Sequence, residues 1–220
     1  MLLVAIDGAC RRNGKPSCIS ASSAFIMNYN EYLQLEETTI LSGYEKGSTN
    51  QRGELIALLL ALDYVCNSKQ DARIITDSEY IFNAMTKNWF NTWENNNWTT
   101  ATGTPVKNQD LWLLVKDLYD KYYENDIDVV FYHIKGHTMH FNKKLAKQSI
   151  IADVSGRRLY DAVSQKYLED KEVKDIFNKT AEVSKKNNGF AFKGSSLERC
   201  VVSNMVADSI AAVVVEAIDA

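Results

Sequence analysis

The stretch ELIALLLALDYV (54–65) reads as a helix that is apolar on nearly every side, and such a helix needs other elements wrapped around it. Thr49 or Asn50 can cap its start, and it runs to about Asn67. Its surroundings supply strands. LLVAID (2–7) is a short apolar run that ends in an acid and a glycine, a buried strand entering a turn. ISASSAFIMN (19–28) and YLQLEETTIL (32–41) flank a polar turn and predict a hairpin. RIIT (73–76), which runs into Asp77, and IDVVFYHI (127–134) predict two further buried strands. Helical spacing resumes at Ser78 and passes Trp89, Trp93 and Trp98. PVKNQDLWLLVKDLYDKYY (105–123) is an amphipathic helix, and NMVADSIAAVVVEAI (204–218) is a last one. A meander of three strands followed by strands alternating with helices predicts an α/β fold, a mixed sheet flanked by helices.

At 220 residues the chain can bury one sizeable core with a subdomain besides. The run LIALLLAL (55–62) is too short to cross a bilayer, so no membrane partner is expected. The N-terminal MLLVAID has no basic region and meets an acid at Asp7, which argues against a secretory leader. Cys10, Cys18, Cys66 and Cys200 form no CxxC pair and are expected as buried or free thiols in a reducing cytoplasm, a host cytoplasm if the source is viral. The net charge of −3 excludes nucleic-acid binding by bulk charge alone. The charge is uneven, however. Residues 138–203 hold 13 Lys and Arg against 8 Asp and Glu, which leaves 12 basic and 20 acidic residues in the rest.

The acids are the chemistry-bearing residues. If the first and fourth strands are parallel neighbours, Asp7 and Asp77 sit side by side at the carboxyl edge of the sheet, where α/β proteins place ligands. Glu54 falls in the first turn of the buried helix and Asp208 in the first turns of the last one. Taken singly, either is an ordinary dipole-compensating acid. Converging, the four would repel, and a pair of Mg²⁺ ions relieves that repulsion with the hard oxygen ligands such ions prefer. Two such ions about 4 Å apart activate water and stabilise a leaving oxygen at a phosphodiester. The three histidines crowd into YHIKGHTMH (132–140), yet no cysteine lies near and His133 belongs to a strand, so a zinc cluster is rejected.

The pieces IDGACRRNGKP (6–16), STNQRGELIAL (48–58), ITDSEYI (75–81), WFNTWENNNWTTATGTPVKNQDLW (89–112), HIKGH (133–137) and NMVAD (204–208) resemble type 1 ribonuclease H, in that family's order. The resemblance implies a ribonuclease H-like five-stranded mixed sheet flanked by helices. It implies metal binding by Asp7, Glu54, Asp77 and Asp208, with Asp7 bridging two Mg²⁺ ions (or Mn²⁺ in their place), and a catalytic-site histidine at His137. The implied activity is endonucleolytic hydrolysis of the RNA strand of an RNA–DNA hybrid, leaving 5′-phosphate and 3′-hydroxyl ends, as in primer removal during DNA replication. Asn13, Thr49, Asn50, Gln51 and Asn204 fall on the family's substrate-contacting positions. Short polar side chains and a close backbone at Gly8 suit a reader of the 2′-hydroxyl, and Trp89, Trp93 and Lys107 suit the DNA strand. Trp98 and Trp112 are expected to pack the helix junction. His137, in a glycine turn, suits proton movement or product release near neutral pH, and His140 is assigned no role. The alternatives are a catalytically silent hybrid- or partner-binding module and a DNA-processing nuclease on the same fold.

Two departures stand out. The handle between the second and third tryptophans reads Glu94-Asn95-Asn96-Asn97 where the family carries basic residues, so weaker phosphate binding is expected there. The family also places its last aspartate close after the KGH histidine, whereas here 70 residues intervene. The expected organisation is a catalytic domain of residues 1–137 and 204–220, with 138–203 as an inserted basic, mainly helical subdomain whose ends both adjoin the active site. Lys143, Lys144, Arg157 and Arg158 are its expected phosphate contacts. The competing reading of the insertion is a dock for a replication protein.

Overall fold

The computed structural model describes residues 1–87, 89–134, 136 and 195–219. Residues 138–194 of the expected helical insertion, its four basic contacts, His137 and His140 lie outside these described residues. The elements are β1 (Leu2–Arg11), β2 (Ile19–Tyr29), β3 (Leu35–Lys46), α1 (Asn50–Ser68), β4 (Ala72–Thr76), α2 (Glu79–Thr86), α3 (Trp89–Asn95), α4 (Gln109–Glu124), β5 (Val129–His133) and α5 (Ser195–Asp219). Five strands form one sheet in the order β3-β2-β1-β4-β5. The β1–β2 and β2–β3 pairs are antiparallel, and the β1–β4 and β4–β5 pairs are parallel. The mixed sheet flanked by helices is therefore as expected.

Strand alternation divides the core in two. Leu2, Val4 and Ile6 of β1, with Ile26 of β2 and Ile74 of β4, pack against Leu55, Leu58 and Leu62 of α1 and Trp112 and Val115 of α4. Leu3 and Ala5, with Phe25, Met27 and Ile75, pack against Cys200, Val206 and Ile210 of α5 on the other face. A sheet covered on both faces explains why its central strands read as continuous apolar runs. Helix α1 is the buried helix the sequence demands, capped by Thr49, whose hydroxyl accepts the Arg52 N–H at 3.3 Å.

Glycines set how closely α1 approaches. A Cβ on Gly8 would lie 2.5 Å from the Glu54 nitrogen, and one on Gly53 would lie 2.8 Å from the Ala21 carbonyl oxygen. The close backbone approach at buried Gly8 is thus taken up by α1 within the fold.

Several element bounds differ from expectation. The hairpin turn sits at 30–34, where the Asn30 side-chain oxygen accepts the N–H groups of Tyr32 and Gln34, both at 3.0 Å. Helix α4 begins at Gln109, because Pro105 is held in a bridge with Thr99 and Val106 donates to the Trp98 carbonyl at 2.9 Å. Helix α5 begins at Ser195, not near Asn204, so Asp208 stands in its middle and not in its first turns. Cys200, Val201 and Val202 are buried, and Arg199 stacks over the Tyr29 ring at 5.4 Å, so this early part of α5 already covers the sheet. The C-terminal end of the expected insertion, residues 195–203, is therefore helix, and it leads in from the end of the sheet remote from Asp7.

By length and composition the segment Arg199–Asp219 is apolar enough to cross a membrane, but 67% of its most apolar window is buried, as in a core helix. The thiols need one correction. Cys10 and Cys18 are joined as a disulfide across the β1–β2 loop, because the hairpin brings their Cα atoms to 6.8 Å, while Cys66 and Cys200 are free.

The tight packing under Gly8 gives a direct test. Gly8→Ala should destabilise the protein by about 1–3 kcal/mol, the usual range for overpacking, seen as a lower denaturant midpoint with an unchanged slope.

Candidate active site

The parallel pairing fixes the first two acids. Leu2 is level with Ala72 and Ala5 with Ile75, so the same register sets Asp7 level with Asp77, one residue beyond β4. Ile134 donates its N–H to the Thr76 carbonyl at 3.0 Å, carrying the chain past Asp77. A Cβ on Gly136 would lie 1.5 Å from Asp77 Oδ2, so the chain can pass there only as glycine. His133 ends β5; its Nε2 lies 3.1 Å from the Asp77 carbonyl oxygen and its ring packs near Phe82.

The other two acids come from the two covering helices. Ser23 is the β2 partner of Asp7, and its hydroxyl donates to the Ala207 carbonyl at 2.6 Å, which seats the Asp208 turn of α5 beside Asp7. Glu54 reaches in from the second turn of α1, not from the first as expected, because the helix already starts at Asn50. Its Oε1 accepts Asn50 Nδ2–H at 2.8 Å, and its Oε2 accepts the Ser78 hydroxyl.

Asp7 is the centre of the cluster and only 4% exposed. Its Oδ1 accepts the Gly8 N–H at 2.7 Å, while its Oδ2 is buried with no hydrogen-bond partner among the described residues. Burial pushes its carboxyl well above the usual range, and Asp77, Asp208 and Glu54 push it further; the Gly8 N–H opposes them. Among the described residues no three His, Cys, Asp or Glu side chains are already drawn together at ligand spacing. The donor set nevertheless fits a hard divalent cation: four carboxylates, one with a buried oxygen that finds no donor among the described residues, whose mutual repulsion a cation relieves without the proton that Asp7 otherwise takes up. Asp7, Glu54, Asp77 and Asp208 are the residues that would hold it.

A polar edge extends from this cluster. Asn13, on the β1–β2 loop, accepts the Asn50 N–H at 3.3 Å, so Asn13, Thr49 and Asn50 are gathered where β1 meets α1. Asn204 lies one turn before Asp208 but is only 4% exposed, and its Nδ2 is buried without a partner among the described residues. Gln51, Tyr80, Trp89, Trp93 and Lys107 line a groove of about 560 Å³ beside the first turn of α1.

The tryptophans divide their work differently from expectation. Trp89 is half-buried in the groove wall, but Trp93 is only 7% exposed and packs on Trp89, Trp98 and Trp112 with ring centroids 5.3–5.8 Å apart. Trp112 is fully buried and Trp98 partly so, as packing residues. The Glu94–Asn97 handle is exposed, with Glu94 3.6 Å from Lys116.

Sequence reasoning missed two contributors, Ser78 and Gly136. The signal for Ser78 was its place between Asp77 and a helix, where a serine caps the helix and can also reach a neighbouring carboxylate.

Fold and site together define an α/β protein with an acidic cluster, suited to hard cations, at the carboxyl edge of a mixed sheet. The family model for RNase H matches residues 1–158. The chain belongs to the RNase H family. It is 33% identical over 137 residues to a ribonuclease H of Clostridium botulinum (strain Hall), covering 62% of this chain and 84% of that one. It is 32% identical over 155 residues to a ribonuclease HI of Pasteurella multocida, covering 70% and 90%. Among solved structures, LC9-RNase H1, a type 1 RNase H with the type 2 active-site motif, superposes with a TM-score of 0.52 at 20% identity, over 70% of this chain and 69% of that one. That last likeness supports the fold alone. The family match stops short of Asp208, whose place beside Asp7 comes from the packing of α5.

The raised Asp7 carboxyl has a measurable consequence without metal. The native state keeps a proton that the unfolded chain releases, so this stabilisation is complete below the unfolded pKa and is lost as pH rises through the folded one. Asp7→Asn should therefore raise the Tm in EDTA at neutral pH, and the gain should shrink as pH falls toward the ordinary carboxylate range. Thermal unfolding across pH checks both halves.

Proposed function

We propose that this protein is an endoribonuclease that hydrolyses the RNA strand of RNA–DNA hybrids with two divalent cations, Mg²⁺ or Mn²⁺, leaving 5′-phosphate and 3′-hydroxyl ends. The observation that carries the proposal is the Asp7 cluster: three carboxylates around Asp7, whose buried Oδ2 finds no donor among the described residues, in a member of the RNase H family. When bound, such ions supply an activated water and stabilise the leaving oxygen of a phosphodiester.

The chain's own residues do the rest. Asp7 and Asp77, level across two parallel strands, face the reacting phosphate from the sheet edge. Glu54 and Asp208 close on it from the helices on either face of the sheet. Asn13, Asn50 and Gln51 present short polar groups to the wide minor groove of an A-like duplex, where the 2′-hydroxyl distinguishes RNA. The groove of Trp89 and Lys107 takes the DNA strand, with a stacking face and a cation. His137 is proposed to move a proton or to assist product release.

Phosphate binding in the handle is weak in this reading, since Glu94-Asn95-Asn96-Asn97 carries no positive charge. The basic insertion compensates, with Lys143, Lys144, Arg157 and Arg158 contacting the backbone. Deleting 142–194, which spares α5, should then raise KM for hybrid and flatten its salt dependence. Unchanged KM and salt slope would reject the phosphate contacts and favour a protein partner, such as a replication protein.

The activity itself is tested with labelled RNA–DNA hybrid, duplex DNA and duplex RNA, each with Mg²⁺ or EDTA. Cutting of the RNA strand of the hybrid alone, only with Mg²⁺, is expected. Asp7→Asn should reduce it by at least the 10²–10³-fold typical of losing one group that stabilises charge at the reacting centre, without unfolding the protein. Hybrid binding without cutting in the wild type would mark a silent binding module instead.

A further inference from the structure

We infer that Ser78 is a positioning residue for Glu54, fixing the direction its carboxylate faces and so setting the affinity of the acidic cluster for a divalent cation. This rests on the metal-dependent reading above and goes beyond it by assigning a role to a residue outside the four acids.

Ser78 directly follows Asp77 and is only 7% exposed. Its own position is held from two sides. Its N–H donates to the Thr76 hydroxyl at 3.0 Å, and its Oγ accepts the Ile81 N–H at 3.5 Å as the cap of α2. From this fixed point its hydroxyl donates to Glu54 Oε2. The other oxygen of Glu54 accepts from Asn50 at 2.8 Å, but Asn50 lies on the same helix, so that bond cannot set Glu54 against the strand acids. The Ser78 bond can, because it runs from α1 to the chain neighbour of Asp77. It couples the helix-borne acid to the sheet-borne pair.

A carboxylate oxygen has two lone-pair directions, so accepting the Ser78 hydroxyl does not by itself bar Glu54 Oε2 from a cation. Removing a partner that orients a ligand typically costs 10–100-fold in metal affinity.

The test uses the full-length protein, stripped of metal, with Mn²⁺ titrated calorimetrically into wild type, Ser78→Gly, Ser78→Ala and Ser78→Thr. Glycine is nearly as good a helix cap as serine, so Ser78→Gly separates the bond to Glu54 from the cap of α2. Ser78→Gly should bind Mn²⁺ about 10-fold or more weakly, and Ser78→Thr, which keeps the hydroxyl, should bind close to wild type. In activity, the Mg²⁺ concentration for half-maximal rate should rise in parallel, while KM for hybrid at saturating Mg²⁺ stays put. Should Ser78→Ala fold poorly, the glycine and threonine variants decide. Wild-type Mn²⁺ affinity in Ser78→Gly overturns the inference alone. A wild-type protein that binds no Mn²⁺ overturns both the inference and the metal-dependent reading.

Discussion

Two like charges set level by a parallel strand pair are the constraint on which the rest of this structure turns. Once β1 and β4 pair in their observed register, Asp7 and Asp77 must be neighbours at the sheet edge, and the Gly8 N–H on Asp7 only partly offsets their repulsion. The compensation is global. Leu2, Val4, Ile6, Ile74 and Ile75 bury their side chains on one face of the sheet or the other, so the pairing is held by the core and not by the acids. The helices that complete the core also carry the remaining two acids. Covering the sheet and assembling the site are thus one event, which places strain at the functional edge and its offset in the packing behind it.

The same economy appears around α4. Trp112 is fully buried and donates its indole N–H to the Tyr80 hydroxyl at 2.7 Å, and Tyr80 in turn donates to the Lys107 carbonyl at 3.2 Å. This relay fixes the backbone of the groove from beneath. Trp93, Phe90 and Trp98 fill the space behind it, which leaves Trp89 as the more open ring. Arg52 braces the adjoining edge, pairing with Glu45 from β3 and with Asp110 from α4, both at 2.8 Å. The polar residues Asn50 and Gln51 therefore project from a first helical turn that is tied to both β3 and α4.

Much of this was legible in the sequence because burial writes a period into it. Apolar runs ending at Asp7 and Asp77 gave the strands and their acids, and the all-round apolar ELIALLLALDYV gave α1. What failed to show was decided by contacts between distant residues. The start of α5 depends on Cys200–Ser203 meeting the far end of the sheet, and a motif at 204–208 says nothing of that. Trp93 is indistinguishable from Trp89 by spacing, and only the meeting of α3 with α4 makes one a filler and the other a wall. The Cys10–Cys18 disulfide depends on the hairpin closing, which spacing alone does not encode. Ser78 is a plain cap in sequence, and its second task exists only because α1 passes beside it.

Charge imposes an order on binding under the proposed function. The chain carries a net charge of −3, and its residues outside 138–203 hold the larger share of acid, 20 acidic against 12 basic. A nucleic acid approaching the sheet edge therefore meets repulsion from the four carboxylates, in a site buried enough that salt screens it poorly. Two divalent cations carry the charge needed to cancel four carboxylates, so hybrid should engage the reacting edge productively only in the cation-loaded protein. Binding away from that edge is free of this requirement and depends on whatever positive charge the chain presents to phosphates. With the phosphate contacts proposed for residues 138–203, those two tasks are separate: affinity would reside in residues away from the reacting phosphate, while the four acids would select metal.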